Sequence, residues 1–277
     1  MADILNGKSA YETIKQTVSN SVKAMKRTPV LAVVQVGRNS ASDIYMRSRE
    51  RDCEECGIQS RTIFMPFDTT QDRLNQVLSE LSADIDVDGI LLQLPLPRGL
   101  SEELTFECIV PWKDVDCVTK ENQGLLYRGR HRFAPCTPLG IIALLRENDI
   151  DLTGKHCVVI GRSALVGKPL ALMLLSADAT VTVCHSHTRN LASICKQADV
   201  LISAVGRRNF VTADMVKNGA ILIDVGTNID ENGHVCGDCT QEAYLKSGLY
   251  TPVPGGVGPM TRASLMLNLT KAISNHV

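Results

Sequence analysis

The sequence has few aromatic residues and no surplus of positive charge. Aromatic residues make up 4% of the 277 positions, and 29 Lys and Arg residues are balanced by 30 Asp and Glu residues. Because a nucleic-acid-binding surface must neutralise phosphates, this balance argues against nucleic acid as a partner. Long apolar runs are also lacking, and the stretch from Ile90 to Leu96 is too short to span a membrane.

Residues 1–16 contain no apolar run of signal-peptide length, so we expect a soluble, cytoplasmic protein. In that setting the ten cysteines are expected to be reduced thiols. Two pairs, Cys53/Cys56 and Cys236/Cys239, have the CxxC spacing of a zinc site. Because the pairs lie far apart and the first falls in a helical pattern, we interpret the spacing as coincidental and expect no bound metal.

Apolar, β-branched runs alternate with helical patterns along the chain. Strands are predicted over 29–37, 58–65, 89–96, 155–161, 180–185, 200–206 and 220–226. Helices are predicted at 42–56, 70–82, 139–146, 168–176, 191–197 and 213–217, with an amphipathic helix at 262–276. Continuous apolar strands between helices indicate parallel sheets covered on both faces. The predicted fold class is therefore α/β, and the chain divides near residue 138.

The predicted strand over 155–161 runs into a glycine turn. Gly161 and Gly167 flank this turn and a helix follows, so backbone amides and the helix N-terminus could approach a pyrophosphate. The spacing differs from G-x-G-x-x-G, and an ordinary strand-to-helix turn is the alternative interpretation. The turn therefore indicates a dinucleotide site mainly through its context, since it opens a run of four strands.

The end of the next predicted strand bears on the choice of cofactor. NAD-binding domains usually place a carboxylate there to hold the ribose 2′-hydroxyl. Here residues 185–189 read His-Ser-His-Thr-Arg. Arg162 and Ser186, with His187 or Arg189 nearby, could instead bind a 2′-phosphate. The sequence thus favours NADP over NAD, although the same loop could simply be polar and solvated.

The first half of the chain carries four polar residues that could converge on a ligand. Tyr45 and Arg49 are four positions apart on a predicted helix and share one face. Gln93 precedes the prolines that end the third strand, and Asp116 lies in an acidic loop. Ligands of parallel sheets bind at the carboxyl ends of the strands, although each residue alone is more often structural.

Two segments rich in Pro and Gly, residues 135–140 and 251–261, fix unusual backbone paths. They could let a flat ligand lie close to the backbone, or form a rigid hinge between domains, or do both.

Eight segments resemble the methylenetetrahydrofolate dehydrogenase/cyclohydrolase family and follow the family's order. They are VGRNSASDIY, DGILLQLPLP, PWKDVD, PCTPLG, GRSALVGKP, CHSHT, DVGTN and TPVPGGVGPMT. The resemblance implies a small α/β catalytic domain, placed at residues 1–138 plus 263–277, and a Rossmann-type NADP-binding domain at residues 139–262. It also implies an active site in the cleft between the domains and a homodimer formed through the cofactor domain.

The family's two reactions are oxidation of 5,10-methylenetetrahydrofolate to the methenyl form and hydrolysis of that product to 10-formyltetrahydrofolate. By position, Tyr45 matches the tyrosine that lines the pterin and aminobenzoate site, Gln93 the glutamine bonded to the catalytic lysine, and Asp116 the aspartate that anchors the pterin. The resemblance implies further folate contacts at Leu94, Pro254, Gly255 and Gly258. It implies cofactor contacts at Gly161, Arg162, Ser163, Ser186 and Thr227.

Arg49 departs from the family pattern Tyr-x-x-x-Lys, because it occupies the position of the catalytic lysine. A guanidinium stays charged and cannot act as a general base. Hydride transfer depends mainly on positioning, whereas hydrolysis needs proton transfers. We therefore predict that the dehydrogenase reaction survives and that cyclohydrolase activity is weak or absent.

Three alternatives to this prediction remain open. The enzyme could be fully bifunctional, if Arg49 orients water or Asp116 replaces the base. It could be another two-domain dehydrogenase, such as one acting on a shikimate-like acid, or a non-catalytic folate- or nucleotide-binding protein. Smaller departures are Cys117 in place of a glycine, Thr227 in place of a common isoleucine, and the absence of Val-Asp after Gly237-Asp238.

Overall fold

The computed structural model describes residues 2–37 and 40–274, without the side chains of residues 40–45 and 274. The chain folds into two compact units. Unit 1 comprises Met1–Glu12 and Thr137–Thr261, and unit 2 comprises Thr13–Cys136 and Arg262–Val277. Each unit is thus built from two separate stretches of chain.

In chain order the strands are β1 Asp3–Ile4, β2 Val30–Val36, β3 Gln59–Met65, β4 Gly89–Leu92, β5 His156–Ile160, β6 Thr180–Cys184, β7 Val200–Ser203, β8 Ile221–Asp224, β9 Asn228–Ile229, β10 Val235–Cys236 and β11 Leu249–Tyr250. The α-helices are α1 Gly7–Lys23, α2 Ser40–Glu55, α3 Gln71–Ala83, α4 Glu102–Phe106, α5 Lys120–Tyr127, α6 Cys136–Glu147, α7 Gly167–Ser176, α8 Leu191–Cys195, α9 Gln241–Lys246 and α10 Val257–Ser274. Short 3-10 helices cover Pro111–Lys113 and Ala213–Met215.

Unit 2 is organised around a parallel three-stranded sheet in the order β3-β2-β4. The central strand β2 is buried from Leu31 to Val36, as expected for a strand covered on both faces. The helix α3 packs with Leu74, Val77, Leu78 and Leu81 buried, and Thr70 caps its N-terminus by accepting from the Arg73 backbone N–H.

Unit 1 contains a parallel six-stranded sheet in the order β1-β11-β8-β7-β5-β6. The chain passes from β5 to β6 on one side and then crosses to β7 on the other side of β5. The strand order therefore reverses between β5 and β7. In a doubly wound sheet, the carboxyl edge at this point is where ligands bind.

The α/β class and the Rossmann-type sheet agree with the sequence prediction. Several boundaries differ. The strand predicted over 89–96 ends at Leu92, ahead of Pro95 and Pro97, which have no N–H for a sheet ladder. The helix predicted over 213–217 is only a 3-10 turn. The helices α1, α4, α5 and α9 were not predicted.

The last helix departs most from expectation. It begins at Val257 rather than at residue 262, and most of its residues from Ala263 to Ala272 are buried. It is therefore not the amphipathic helix that the sequence predicted. The N-terminal residues 1–12 also group with unit 1, because β1 pairs in parallel with β11. In the part of the chain described, no helix has the length and apolar character to cross a membrane.

Candidate active site

Unit 2 brings Arg49 and Gln93 into direct contact. Arg49 lies on α2, and Gln93 directly follows β4, where its N–H extends the ladder by donating to the Val34 carbonyl at 2.8 Å. The Nη1 of Arg49 donates to Gln93 Oε1 at 3.2 Å, and Gln93 Nε2 donates to the Leu94 carbonyl at 3.2 Å. Arg49 is 1% exposed. The arginine is therefore a buried, permanently charged group at the carboxyl edge of this sheet.

Two aspartates follow on the next segment and have different surroundings. Asp114 is fully buried and accepts from the backbone N–H groups of Val118 and Thr119, the Thr119 hydroxyl and the Asn122 amide. Such a saturated carboxylate is structural. Asp116 is half-buried and accepts from the Cys136 backbone N–H at 3.0 Å.

The surroundings of Asp116 make its ionised form less favourable than it would be in water. Burial raises the pKa of its carboxyl group, and the neighbouring Asp114 carboxylate adds to this effect, while the hydrogen bonds from Cys136 oppose it. A parallel bridge pairs Asp114 with Ile90 of β4, so the chain leaves Asp114 toward the carboxyl end of β4, where Gln93 lies. Perturbed carboxyl groups of this kind are typical of functional sites.

The loop around Asp116 is fixed by contacts that sequence reasoning missed. The buried Asn268 of α10 donates from Nδ2 to the carbonyls of Val115 and Ala134, both at 2.8 Å. Cys117 has φ of 55°, in the left-handed region that favours glycine. The cysteine therefore adopts a backbone conformation that residues with a side chain rarely take.

Other residues expected to bind folate lie at several places. Tyr45 lies within α2, but its side chain falls outside the described residues. Leu94 is half-buried beside Gln93. Pro254 and Gly255 are exposed in the loop before α10, and Gly258 is exposed in its first turn. The last three belong to unit 1.

The glycine turn of unit 1 is shaped for close backbone approach. Gly161 has φ of 128°, and a Cβ there would lie 2.5 Å from the Ala204 carbonyl oxygen. A Cβ at Gly167 would lie 2.1 Å from the Gly161 oxygen, so neither position tolerates a side chain. Ser163 Oγ accepts from the N–H groups of Val166 and Gly167 and fixes the turn ahead of α7. The turn thus places backbone against a helix N-terminus, as dinucleotide binding requires.

The remaining cofactor candidates are exposed side chains at strand ends. Arg162 and Ser186 follow β5 and β6, which pair in register from His156 with Thr180 to Ile160 with Cys184. They therefore lie on neighbouring strand ends. Thr227 is exposed after β8, on the other side of the reversal point.

The loop after β6 also contains His187 and Arg189, and both are exposed. Its turn is held by the His185 N–H, which donates to Thr188 Oγ1 at 2.8 Å, and by the His187 N–H, which donates to His185 Nδ1 at 3.2 Å. An ordered turn of this kind can present side chains to a phosphate.

The CxxC pairs lie in different units. Cys53 and Cys56 are buried at the end of α2, whereas Cys236 and Cys239 belong to unit 1. Burial raises the pKa of the Cys53 thiol to about 12, because the thiolate would be poorly solvated there. None of the ten cysteines forms a disulfide, and the described residues contain no group of three or more His, Cys, Asp or Glu side chains that could hold a metal ion.

The fold and these strand ends define the class as a two-domain α/β protein with a Rossmann-type sheet. Two family models cover most of the chain. The catalytic domain of tetrahydrofolate dehydrogenase/cyclohydrolase matches residues 5–116, and the NAD(P)-binding domain of the same family matches residues 135–277. The chain belongs to the tetrahydrofolate dehydrogenase/cyclohydrolase family.

Individual relatives agree over the full length. The bifunctional protein FolD of Agathobacter rectalis is 44% identical, with 99% of each chain covered. The crystal structure of the bifunctional enzyme FolD of Campylobacter jejuni has a TM-score of 0.95 at 43% identity, with 100% of each chain covered. The Trypanosoma brucei enzyme, solved with NADP and an inhibitor, has a TM-score of 0.93 at 32% identity, with 99% of this chain and 98% of that chain covered.

Proposed function

We propose that this protein oxidises 5,10-methylenetetrahydrofolate to 5,10-methenyltetrahydrofolate with NADP, and that its cyclohydrolase activity is weak or absent. In this proposal unit 2 binds the folate and unit 1 binds the cofactor. The observation that carries the second part is the buried Arg49, whose guanidinium donates to Gln93 in the place of the family's catalytic lysine.

The oxidation removes a hydride from the bridge carbon between two folate nitrogens, and NADP supplies the acceptor when bound. The lone pair of a folate nitrogen stabilises the resulting cation, so the protein needs no general base for this step. Its residues bind and orient the substrate. Asp116 anchors the pterin, and Gln93 holds Arg49 in one orientation at the edge of the sheet. This is catalysis by positioning.

Hydrolysis of the methenyl product makes different demands. A water must lose a proton as it attacks the bridge carbon, and a folate nitrogen must later gain one. A lysine amine can exchange protons in this way, whereas a guanidinium cannot. Loss of a general acid/base usually lowers a rate by about 10²–10⁴-fold. Arg49 therefore separates the two reactions of the family.

The features that support NADP are the glycine turn and the absence of a carboxylate after β6. Arg162 and Ser186 follow neighbouring strands and are exposed, so both can reach a 2′-phosphate. Gly161 and Gly167 let the turn pack tightly against the protein's own backbone ahead of α7, the strand–turn–helix arrangement that binds a pyrophosphate. Thr227, across the reversal point, is assigned to the nicotinamide side.

A paired assay on the purified protein tests this proposal. Formation of methenyltetrahydrofolate is followed with NADP, and its loss is followed separately against spontaneous hydrolysis. Formation without accelerated loss is the expected result. Accelerated loss would mean that the enzyme is bifunctional, with Asp116 or an oriented water in the lysine's place. Cofactor binding without turnover would mean a non-catalytic binding protein.

We also propose a cytoplasmic homodimer formed through unit 1. The strand β6 is an edge of the six-stranded sheet, with Val183 exposed on it, and Leu175 on the neighbouring α7 is exposed as well. Edge strands with apolar side chains need to be covered. Light scattering coupled to size exclusion would give twice the chain mass, and a monomer would contradict the proposal.

A further inference from the structure

A fully buried carboxylate, Asp238, lies between two loops of unit 1. It accepts five hydrogen bonds from residues distant in the sequence. Its Oδ2 accepts from the Ser203 hydroxyl at 2.9 Å and from the N–H groups of Val205 at 3.0 Å and Gly206 at 3.3 Å. Its Oδ1 accepts from the Arg207 N–H at 2.8 Å and from the Asn228 side-chain amide at 3.0 Å. Both oxygens are therefore engaged by the protein itself.

These donors lie at the end of β7, in the loop that follows it, and at the start of β9, where the loop after β8 ends. The loop over 204–207 begins beside the glycine turn, since the Ala204 carbonyl is the group that a Cβ at Gly161 would meet. Asn228, whose side-chain amide donates to Asp238, directly follows Thr227 in the sequence. Both loops thus lie at the carboxyl edge of the sheet, next to the point where the strand order reverses.

A second buried carboxylate supports the first. Asp224, at the end of β8, accepts from the N–H groups of Gly226, Asp238 and Cys239 and from the Tyr244 hydroxyl. Two glycines make room for the pair. A Cβ at Gly226 would lie 2.2 Å from Asp238 Oδ1, and a Cβ at Gly237 would lie 2.1 Å from Asp224 Oδ2. The two carboxylates and the two glycines are therefore closely packed and joined by hydrogen bonds.

We propose that Asp238 is a positioning residue for the dinucleotide site, holding the loops after β7 and β8 in the conformation that receives the cofactor. The inference rests on the proposed NADP-dependent function. Asp238 is fully buried, so it acts through the backbone of 204–207 and through Asn228 rather than by touching the ligand. Preorganised backbone of this kind lowers the conformational cost of binding.

The hydrogen-bond pattern requires a carboxylate at this position. An asparagine has the same shape, but one of its two terminal atoms is an NH₂ group. Because each oxygen of Asp238 accepts from at least one backbone N–H, either orientation of an amide would place two donors against each other. The Asp238→Asn change therefore loosens the loop over 204–207 whichever way the amide turns, and with the NH₂ group at the Oδ1 position it also opposes the donor from Asn228.

The test measures NADP affinity by calorimetry together with steady-state kinetics. Asp238→Asn should raise the Kd for NADP by about tenfold or more, because donors to a charged group are lost. The KM for methylenetetrahydrofolate should stay near its wild-type value. The matched control is Asp114→Asn, which removes a fully buried carboxylate with four donors from unit 2. It should lower Tm without changing the Kd for NADP.

A milder variant covers the case in which Asp238→Asn does not fold. Ser203→Ala removes one donor to Asp238, and because Ser203 is fully buried it cannot touch the cofactor. It should raise the Kd for NADP by about threefold, as expected for one neutral donor. An unchanged Kd in folded Asp238→Asn or Ser203→Ala protein would overturn the inference. Wild-type protein that does not bind NADP would instead overturn the proposed function itself.

Discussion

The two units prepare their candidate sites by different means. In unit 2 the chemistry is expected from side chains: the buried Arg49 donates to Gln93, and the half-buried Asp116 accepts from the backbone N–H of Cys136. In unit 1 the candidate contacts are glycine backbone and exposed side chains such as Arg162, and the buried polar groups lie behind them. In the proposed function, unit 2 offers side chains to its ligand, and unit 1 offers mainly backbone that side chains hold in place.

This difference predicts how each unit responds to substitution. A side-chain site changes its chemistry when one functional group is exchanged, and the fold is little affected. A backbone site loses affinity when its supports are altered, even by residues that never touch the ligand. The predictions below test this contrast, from the largest expected effect to the smallest.

Arg49→Lys should raise the rate of methenyltetrahydrofolate hydrolysis by about 10²-fold or more, since it restores a group that can exchange protons. The dehydrogenase rate should change much less. Stopped-flow absorbance of the methenyl form gives both rates. Arg47→Lys is the matched control, because Arg47 is an exposed arginine of the same helix and should leave both rates unchanged. No gain in Arg49→Lys would show that another residue governs hydrolysis.

Gly226→Ala should lower the free energy of unfolding by about 1–3 kcal/mol, the usual cost of overpacking. Its Cβ would lie 2.2 Å from Asp238 Oδ1, so the carboxylate or the loop must move, and NADP binding should weaken with it. Denaturant unfolding and calorimetry measure the two effects.

Gly124→Ala is the control. Gly124 lies inside α5, and a Cβ added there would have nothing within 4 Å. That change should stabilise the protein by about 0.5–1 kcal/mol. Unfolding and binding values for Gly226→Ala equal to wild type would refute the backbone-support model.

Asp116→Asn should raise Tm by a small amount at neutral pH and abolish efficient turnover. Burial raises the pKa of Asp116 in the folded protein above its unfolded value, so stability is lost as pH rises through the folded pKa. Asparagine cannot ionise, so the variant does not lose stability as the pH rises. Its amide oxygen can still accept from the Cys136 N–H. The gain in Tm should therefore vanish below the ordinary carboxyl pKa of about 3.9. Calorimetric scans across pH test this. A lower Tm for Asp116→Asn at neutral pH would contradict the view that the ionised carboxylate destabilises the fold.

The sequence predicted the parts of the molecule that depend on local pattern. The apolar runs located β2 and β5, and the prolines after Gln93 placed this residue near the carboxyl end of the third strand. The family pattern Tyr-x-x-x-Lys showed that Arg49 occupies the position of the catalytic lysine. The pairing of Arg49 with Gln93, separated by 44 residues, is consistent with that expectation.

What the sequence did not predict are contacts to backbone groups, which every residue has. Asp238 binds N–H groups more than thirty residues away, and nothing in the identity of Val205 or Arg207 marks them as donors. Asn268 likewise holds two carbonyls from across the chain. The one available signal for Asp238 was its place beside Gly237, since a glycine permits a close approach that a side chain would block.

The division of the chain into interleaved stretches has a consequence for synthesis on the ribosome. Most of unit 2 emerges before the main stretch of unit 1, yet the Asn268 amide that ties residues 115 and 134 together is translated only after unit 1. The strand β1 must wait for β11, near the other end of the chain, before it has a partner. Unit 1 cannot close before β11 has been made, and unit 2 cannot close before Asn268 has been made, so we expect chains cut short before β11 to be degraded rather than to persist as half-active fragments.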